Sequence, residues 1–182
     1  MTTYCDYCNS HPEDTYNKDY HDTQYGFPLA DDNLLFERFV LEINQAGLSW
    51  ITILKKADNF RKAYRKFDIA KVAKFTEKDR ARLLADAGII RNRLKVNAAI
   101  VNAQKIMEFR KGYGSFKGWL DAHHPLTLEE WTKLFKKNFF FTGGEIVNEF
   151  LMSTGYLPGA HIKSCPTYKK VASLRPPWMR SK

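Results

Sequence analysis

The sequence predicts an all-α fold, and three observations carry that expectation. Apolar residues recur every three or four positions over long stretches, Thr-led capping boxes open further segments, and no convincing stretch alternates apolar and polar residues. A chain patterned in this way buries helical faces against one another rather than against a sheet.

Asp31 and Asp32 can cap a helix start, after which Leu35, Phe36, Phe39, Val40, Ile43 and Ala46 form one broad apolar arc. Gly47 can end this core helix. Leu48 to Leu54 then begins a new element, with Ser49 as its candidate cap, and the pattern continues in helical style to Tyr64. A short helix follows over 69–75. Thr76-Glu-Lys-Asp79 reads as a capping box with Asp in the place of Glu, opening a helix that carries Leu83, Leu84 and Ala87 before Gly88 stops it. Beyond a tight turn, Val96, Ile100, Ala103, Ile106, Met107 and Phe109 mark a long helix ending near Gly112. Thr127-Leu-Glu-Glu130 caps a helix through Lys137, and residues 145–153 support another. The expected organisation is one domain over 1–182, with a helical body over 29–155, a hairpin over 84–95 and irregular ends over 1–28 and 156–182.

The 182 residues are 44% hydrophobic, which excludes disorder and collagen. A chain of this size hides roughly 70% of its surface on folding and needs no disulfide scaffold. With 29 Lys plus Arg against 20 Asp plus Glu, the formal charge is +9. Such an excess supplies the sequence-independent part of affinity for polyanions, though many basic proteins bind no nucleic acid. No apolar run approaches the ~20 residues of a membrane span, and the start lacks a signal-peptide core. The expected location is the cytoplasm, with no membrane partner.

Three cysteines cannot form a closed disulfide set. His161-Ile-Lys-Ser-Cys165 places an imidazole and a thiol four residues apart, while Cys5, Cys8, His11 and His21 crowd near the start. A tetrahedral Cys2His2 site drawn from both would clip the two ends together, and such a closed site is structural. The same spacings also suit free thiols and solvated histidines, and the paired knuckles of a standard finger are missing.

Glu42 sits at the edge of the apolar arc. Burying a carboxylate costs several kcal/mol unless it is paired, so it is either tied to a basic partner or reserved for a ligand. Trp50 and Tyr20 are core residues by default. Beside a buried carboxylate they would form a pocket that stacks on a flat ring, accepts its N–H hydrogens and prefers it cationic. In Leu84-Ala-Asp-Ala-Gly-Ile-Ile-Arg-Asn-Arg-Leu-Lys95, a Gly88-led hairpin precedes a helix whose first-turn N–H groups can grip a phosphate. Arg91, Arg93 and Lys95 would add mobile charge there. A plain helix C-cap with a solvated basic face reads the same way.

In combination these features resemble the type I family of 3-methyladenine DNA glycosylases, within the helix-hairpin-helix superfamily of base-excision repair enzymes. The resemblance covers nearly the whole chain. It rests on Tyr20-His-Asp22 with Gly26, on Leu41-Glu42 with Gln45-Ala-Gly-Leu-Ser-Trp-Ile-Thr-Ile-Leu-Lys-Lys56, on Asp86-Ala-Gly-Ile-Ile-Arg91, and on His161 with Cys165. It implies a helix-hairpin-helix glycosylase-like bundle and one structural Zn2+ held by Cys5, His21, His161 and Cys165, joining the two terminal segments. Cys5-Asp-Tyr-Cys8 matches the family's opening at Cys5, whereas counting back from His21 selects Cys8.

The resemblance further implies a base pocket of Tyr20, Glu42 and Trp50, with Glu42 catalytic and Leu48 wedging into the duplex. Gly88, Arg91 and Lys95 are the expected backbone contacts. The implied activity is hydrolysis of the N-glycosidic bond of 3-methyladenine in alkylated double-stranded DNA by a monomer. No Asp occurs between Asp86 and Asp121 to act as a general base, and no lysine nucleophile is evident, so no lyase step is expected. Tyr7 and Tyr25 replace usual tryptophans, Ile43-Asn44 departs from the common filling, and Phe141-Thr-Gly-Gly-Glu-Ile-Val-Asn148 is unlike the family's run. These departures keep two other readings open, a zinc-stapled lesion-binding protein without excision activity and a glycosylase for a different alkylated purine.

Overall fold

The computed structural model describes residues 3–180, so that Ser181 and Lys182 of the basic tail lie outside it. Among the described residues twelve α-helices run in the order α1 (Tyr4–Ser10), α2 (Thr15–Thr23), α3 (Asp32–Gln45), α4 (Trp50–Leu54), α5 (Ala57–Ala63), α6 (Ile69–Val72), α7 (Glu77–Ala85), α8 (Arg93–Tyr113), α9 (Phe116–His123), α10 (Leu128–Asn138), α11 (Gly144–Ser153) and α12 (Pro166–Ser173). No strand occurs among the described residues. No helix among them is long and apolar enough to cross a membrane.

The terminal segments are not irregular as expected, because α1 and α2 form there on side-chain caps and α12 on a proline at its start. The Thr3 hydroxyl accepts from the Asp6 N–H at 3.1 Å while the Thr3 N–H donates to the Asp6 carboxylate at 2.9 Å. Asp14 caps α2 through Asn17, and Pro166 opens α12 at a position where its missing N–H costs nothing. The stretch after Gly47 splits into α4 and α5 at Lys55-Lys56. Ser49 does stand at the N-cap of α4, but its hydroxyl pairs with the Thr52 hydroxyl at 2.8 Å instead of a backbone N–H.

Helix α3 is the centre of the molecule. Every residue from Leu35 to Asn44 is buried, and the helix lies against α4, α6, α8, α9 and α11. Phe39 meets Phe116, Phe135, Phe139 and Phe150 at ring-centroid separations of 5.0–6.3 Å. Each such side chain contributes about 2–3 kcal/mol by leaving water. This packing holds α3 rigidly, and its C-terminal turn delivers Glu42 and the Gly47-Leu48 loop to one end of the bundle.

Candidate active site and metal cluster

Glu42 is only 4% exposed. It lies at a cavity of about 770 Å³ that is also lined by Tyr20, Tyr25, Trp50, Asn148 and Glu149. Arg38 stands one turn earlier on α3 but is directed elsewhere. Its Nη1 donates to Tyr20 Oη at 2.9 Å and to the Ser153 carbonyl at 3.5 Å, and its Nη2 donates to Gln24 Oε1 at 3.4 Å. Burial pushes the Glu42 carboxyl up to about 8, with Arg38 opposing the shift and Glu149 adding to it.

The Tyr20 and Trp50 rings lie 5.1 Å apart at 59°. They also form a wall shared with a second hollow of about 600 Å³, which lacks Glu42. Trp50 Nε1 is buried without a hydrogen-bond partner, an orphan donor of the kind a ligand acceptor satisfies. The arrangement can stack a flat ring, accept its N–H hydrogens and stabilise positive charge on it. The structure therefore brings Tyr20, Glu42 and Trp50 together.

Leu48 is 38% exposed on a tight turn between α3 and α4. Gly47 makes the turn with φ +80, a conformation that disfavours a side chain even though the space around it is open. Gln45 clamps the loop, its carbonyl accepting from the Leu48 N–H at 2.7 Å and its Nε2 donating to the Leu48 carbonyl at 2.8 Å.

The α7–α8 turn corrects two expectations about phosphate contacts. Lys95 is not a mobile surface charge, being 5% exposed with Nζ donating to the Asn44 carbonyl at 2.8 Å and the Ala46 carbonyl at 2.6 Å. An ammonium there satisfies the orphan carbonyls that end α3 and complements the helix dipole. The donors expected to be free are also engaged in part. Asp86 Oδ1 accepts from the Gly88 N–H at 2.7 Å, and Asn92 Oδ1 accepts from Leu94 and Lys95 N–H at 3.0 and 3.1 Å. A Cβ at Gly88 would lie 2.9 Å from Asp86 Oδ1, so this glycine permits the turn itself. Arg91 and Arg93 remain exposed on it.

Cys5, His21, His161 and Cys165 meet in one buried cluster, with ligand atoms all within 4.8 Å of one another. Cys5 Sγ lies 3.6 Å from His161 Nδ1, and Cys165 Sγ lies 3.6 Å from His21 Nε2 and 3.9 Å from His161 Nδ1. An S–N edge of a tetrahedral zinc site is about 3.6 Å. The second ring nitrogens are occupied as metal-ligating histidines require. His161 Nε2 donates to the Tyr25 carbonyl at 2.7 Å and His21 Nδ1 donates to Asp22 Oδ1 at 2.7 Å, leaving both inward nitrogens as lone pairs. Cys8 is buried elsewhere, its Sγ 3.7 Å from the Asn17 carbonyl, so the cluster takes Cys5. Gly26 permits the closure with φ +80, since a Cβ there would come within 2.8 Å of Ala160 Cβ and 3.3 Å of His161 Cδ2.

Two pocket residues escape sequence reasoning as functional groups. Tyr25, visible only as a replaced tryptophan, joins the two sites by accepting from His161 at its carbonyl and donating from Oη to Glu149 Oε2 at 3.2 Å. Glu149 follows Glu145 by one turn of α11, and that shared face was the available signal. Both glutamates and Asn148 line the cavity, whereas Ile43 and Asn44 are fully buried away from it and Tyr7 is exposed beside Asp14.

The methyladenine glycosylase family model matches residues 8–129. DNA-3-methyladenine glycosylase 1 of Escherichia coli is 36% identical over 168 residues, covering 82% of this chain and 89% of its own. DNA-3-methyladenine glycosylase of Haemophilus influenzae is 35% identical, covering 91% and 98%. Among solved structures, a tyrosine-to-phenylalanine variant of 3-methyladenine DNA glycosylase I in complex with 3-methyladenine superposes with a TM-score of 0.81 at 32% identity, covering 88% of this chain and 96% of that one. A glutamate-to-glutamine variant of the Staphylococcus aureus enzyme gives 0.80 at 32% identity with the same coverage. With its buried pocket, its Cys2His2 cluster and these likenesses, the chain belongs to the methyladenine glycosylase family.

Proposed function

We propose that the protein is a monofunctional DNA glycosylase that hydrolyses the N-glycosidic bond of 3-methyladenine in alkylated duplex DNA, opening base-excision repair and acting as a monomer. The observation that carries this reading is Glu42, a buried carboxylate that forms no ion pair among the described residues, in a cavity walled by Tyr20 and Trp50. The target base must leave the stack, at a cost of a few kcal/mol, and Leu48 on its clamped turn is the apolar wedge that fills the gap.

Within the pocket Trp50 stacks on the base while Glu42 accepts from its amino edge. Arg38 donates to Tyr20 Oη, which leaves the Tyr20 hydroxyl hydrogen free to donate to a ring nitrogen. Adenine methylated on N3 is already cationic and departs without strong acid catalysis. The electron pair of the glycosidic bond stays with the ring, and water attacks the oxocarbenium-like sugar carbon. Methylated duplex treated with the protein should gain strand breaks only after alkali, because the product is an intact strand with an abasic site. Breaks appearing without alkali would show a lyase step.

The Cys5, His21, His161 and Cys165 donor set suits one structural Zn2+. Once bound, the ion would supply a covalent-like staple between the terminal segments, with no ligand position left open. The α7–turn–α8 unit serves as the helix-hairpin-helix element. Arg91 makes a phosphate contact there and Lys95 acts as a buried prop. Arg91→Ala is expected to reduce the salt slope of DNA affinity by about one. Lys95→Met should leave that slope unchanged and lower stability by about 1–3 kcal/mol, because two carbonyls lose their donor. Salt titrations and urea melts separate these roles, and a reduced slope in Lys95→Met would return Lys95 to the DNA surface.

A further inference from the structure

The pocket holds a second carboxylate that the mechanism above does not use. Glu149, on α11, lines the same cavity as Glu42 and receives one hydrogen bond, from Tyr25 Oη at 3.2 Å. No Lys, Arg or His forms an ion pair with either glutamate among the described residues. Arg38, the neighbouring cation, is committed to Tyr20, Ser153 and Gln24. Each carboxylate raises the cost of ionising the other; Arg38 offsets part of that cost at Glu42, but neither glutamate has a paired positive charge among the described residues.

A cationic ring entering the cavity supplies that charge, and a neutral ring does not. The distinction falls on the reaction coordinate of the proposed glycosylase, on which this inference rests. When the bond between the sugar carbon and the purine nitrogen breaks, both electrons stay with the ring, which goes from a cation to a neutral molecule while the sugar takes up the positive charge. We propose that Glu149 is a specificity-determining residue that, with Glu42, makes the pocket favour the cationic base still attached to DNA over the neutral base just released. The same pair thus recognises the lesion and loosens its hold on the product. Exposed Glu145, at the start of α11, lies in higher dielectric and acts more weakly.

The test compares two probes on the full chain at slightly alkaline pH by calorimetry. One is 3,9-dimethyladeninium, a permanent cation with a methyl group in place of the sugar, and the other is neutral 3-methyladenine. The native protein should prefer the cation, and Glu149→Gln should cut that preference about tenfold, the equivalent of removing one nearby charge at intermediate dielectric. Glu145→Gln should move it less. Gln preserves the size of the side chain and its capacity to accept from Tyr25, and Glu149→Ala provides a second measure if the Gln variant does not fold. An unchanged preference in folded Glu149 variants overturns the inference and leaves the glycosylase reading intact. Failure of both probes to bind the native protein overturns the base-pocket reading and the inference with it.

Discussion

Glu42→Gln is expected to lower release of 3-methyladenine from methylated DNA by about 10²–10³-fold while making the protein more stable above pH 8. The two effects share one cause. The carboxylate is held in a buried site where its ordinary pKa of 4.5 rises to about 8. A folded-state pKa above the unfolded one means that the folded chain binds the extra proton. Its stabilising effect is complete below about pH 4.5 and is lost as pH climbs through about 8. Gln carries no charge to bury, so the variant's advantage opens across that window and reaches on the order of a few kcal/mol. In the native enzyme kcat/KM should rise with pH toward about 8, because the free enzyme must ionise Glu42 before it takes a cation. Urea melts at both ends of the window, with a pH–rate profile, check this. A variant that is less stable at high pH and equally active would make Glu42 a structural residue.

Breaking the Cys2His2 cluster should have the second largest effect, and it should fall on folding. His161→Ala, or chelation of the proposed zinc, removes a closed site that joins α1 and α2 to the segment before α12. Loss of several kcal/mol is expected, a fall in Tm of about 10–20 °C for a chain of this length. The aromatic core around Phe39 does not depend on the cluster, so the molecules that stay folded at low temperature should retain excision activity. Metal analysis should find one zinc per chain in the native protein and less in the variant. Excision lost at a temperature where circular dichroism shows an intact fold would instead give the ion a part in the chemistry.

Long apolar periodicity made α3 and α8 legible in the sequence, and capping boxes marked the starts of α7 and α10. Helix α9 was overlooked although Ser115 caps it and Phe116, Trp119 and Leu120 stand at helical spacing, because it is only eight residues long and carries Gly118 in its first turn. Helices α1, α2 and α12 are short and rely on caps and on the clustered ends of the chain. Cys5 and Cys8 lie one turn apart on α1 and are both buried, so residue spacing did not separate a ligand from its neighbour. Lys95 illustrates a different failure. A basic residue in the first turn of a helix reads as solvent-facing, but Lys95 shares a face with buried Ala99 and Asn102, and the incoming α3 terminus completes its burial. Tyr20, Glu42 and Trp50 were accessible through their motif, while their convergence depends on three separate helices.

Chromatography of the free bases released from methylated duplex DNA by the native protein and by Glu42→Gln, beside a control without protein, decides whether the pocket excises its base. The native protein should release 3-methyladenine, the variant should give a strongly reduced yield, and the control should show none above background. A folded native protein that binds the DNA but releases no base would contradict excision and support a lesion-binding role.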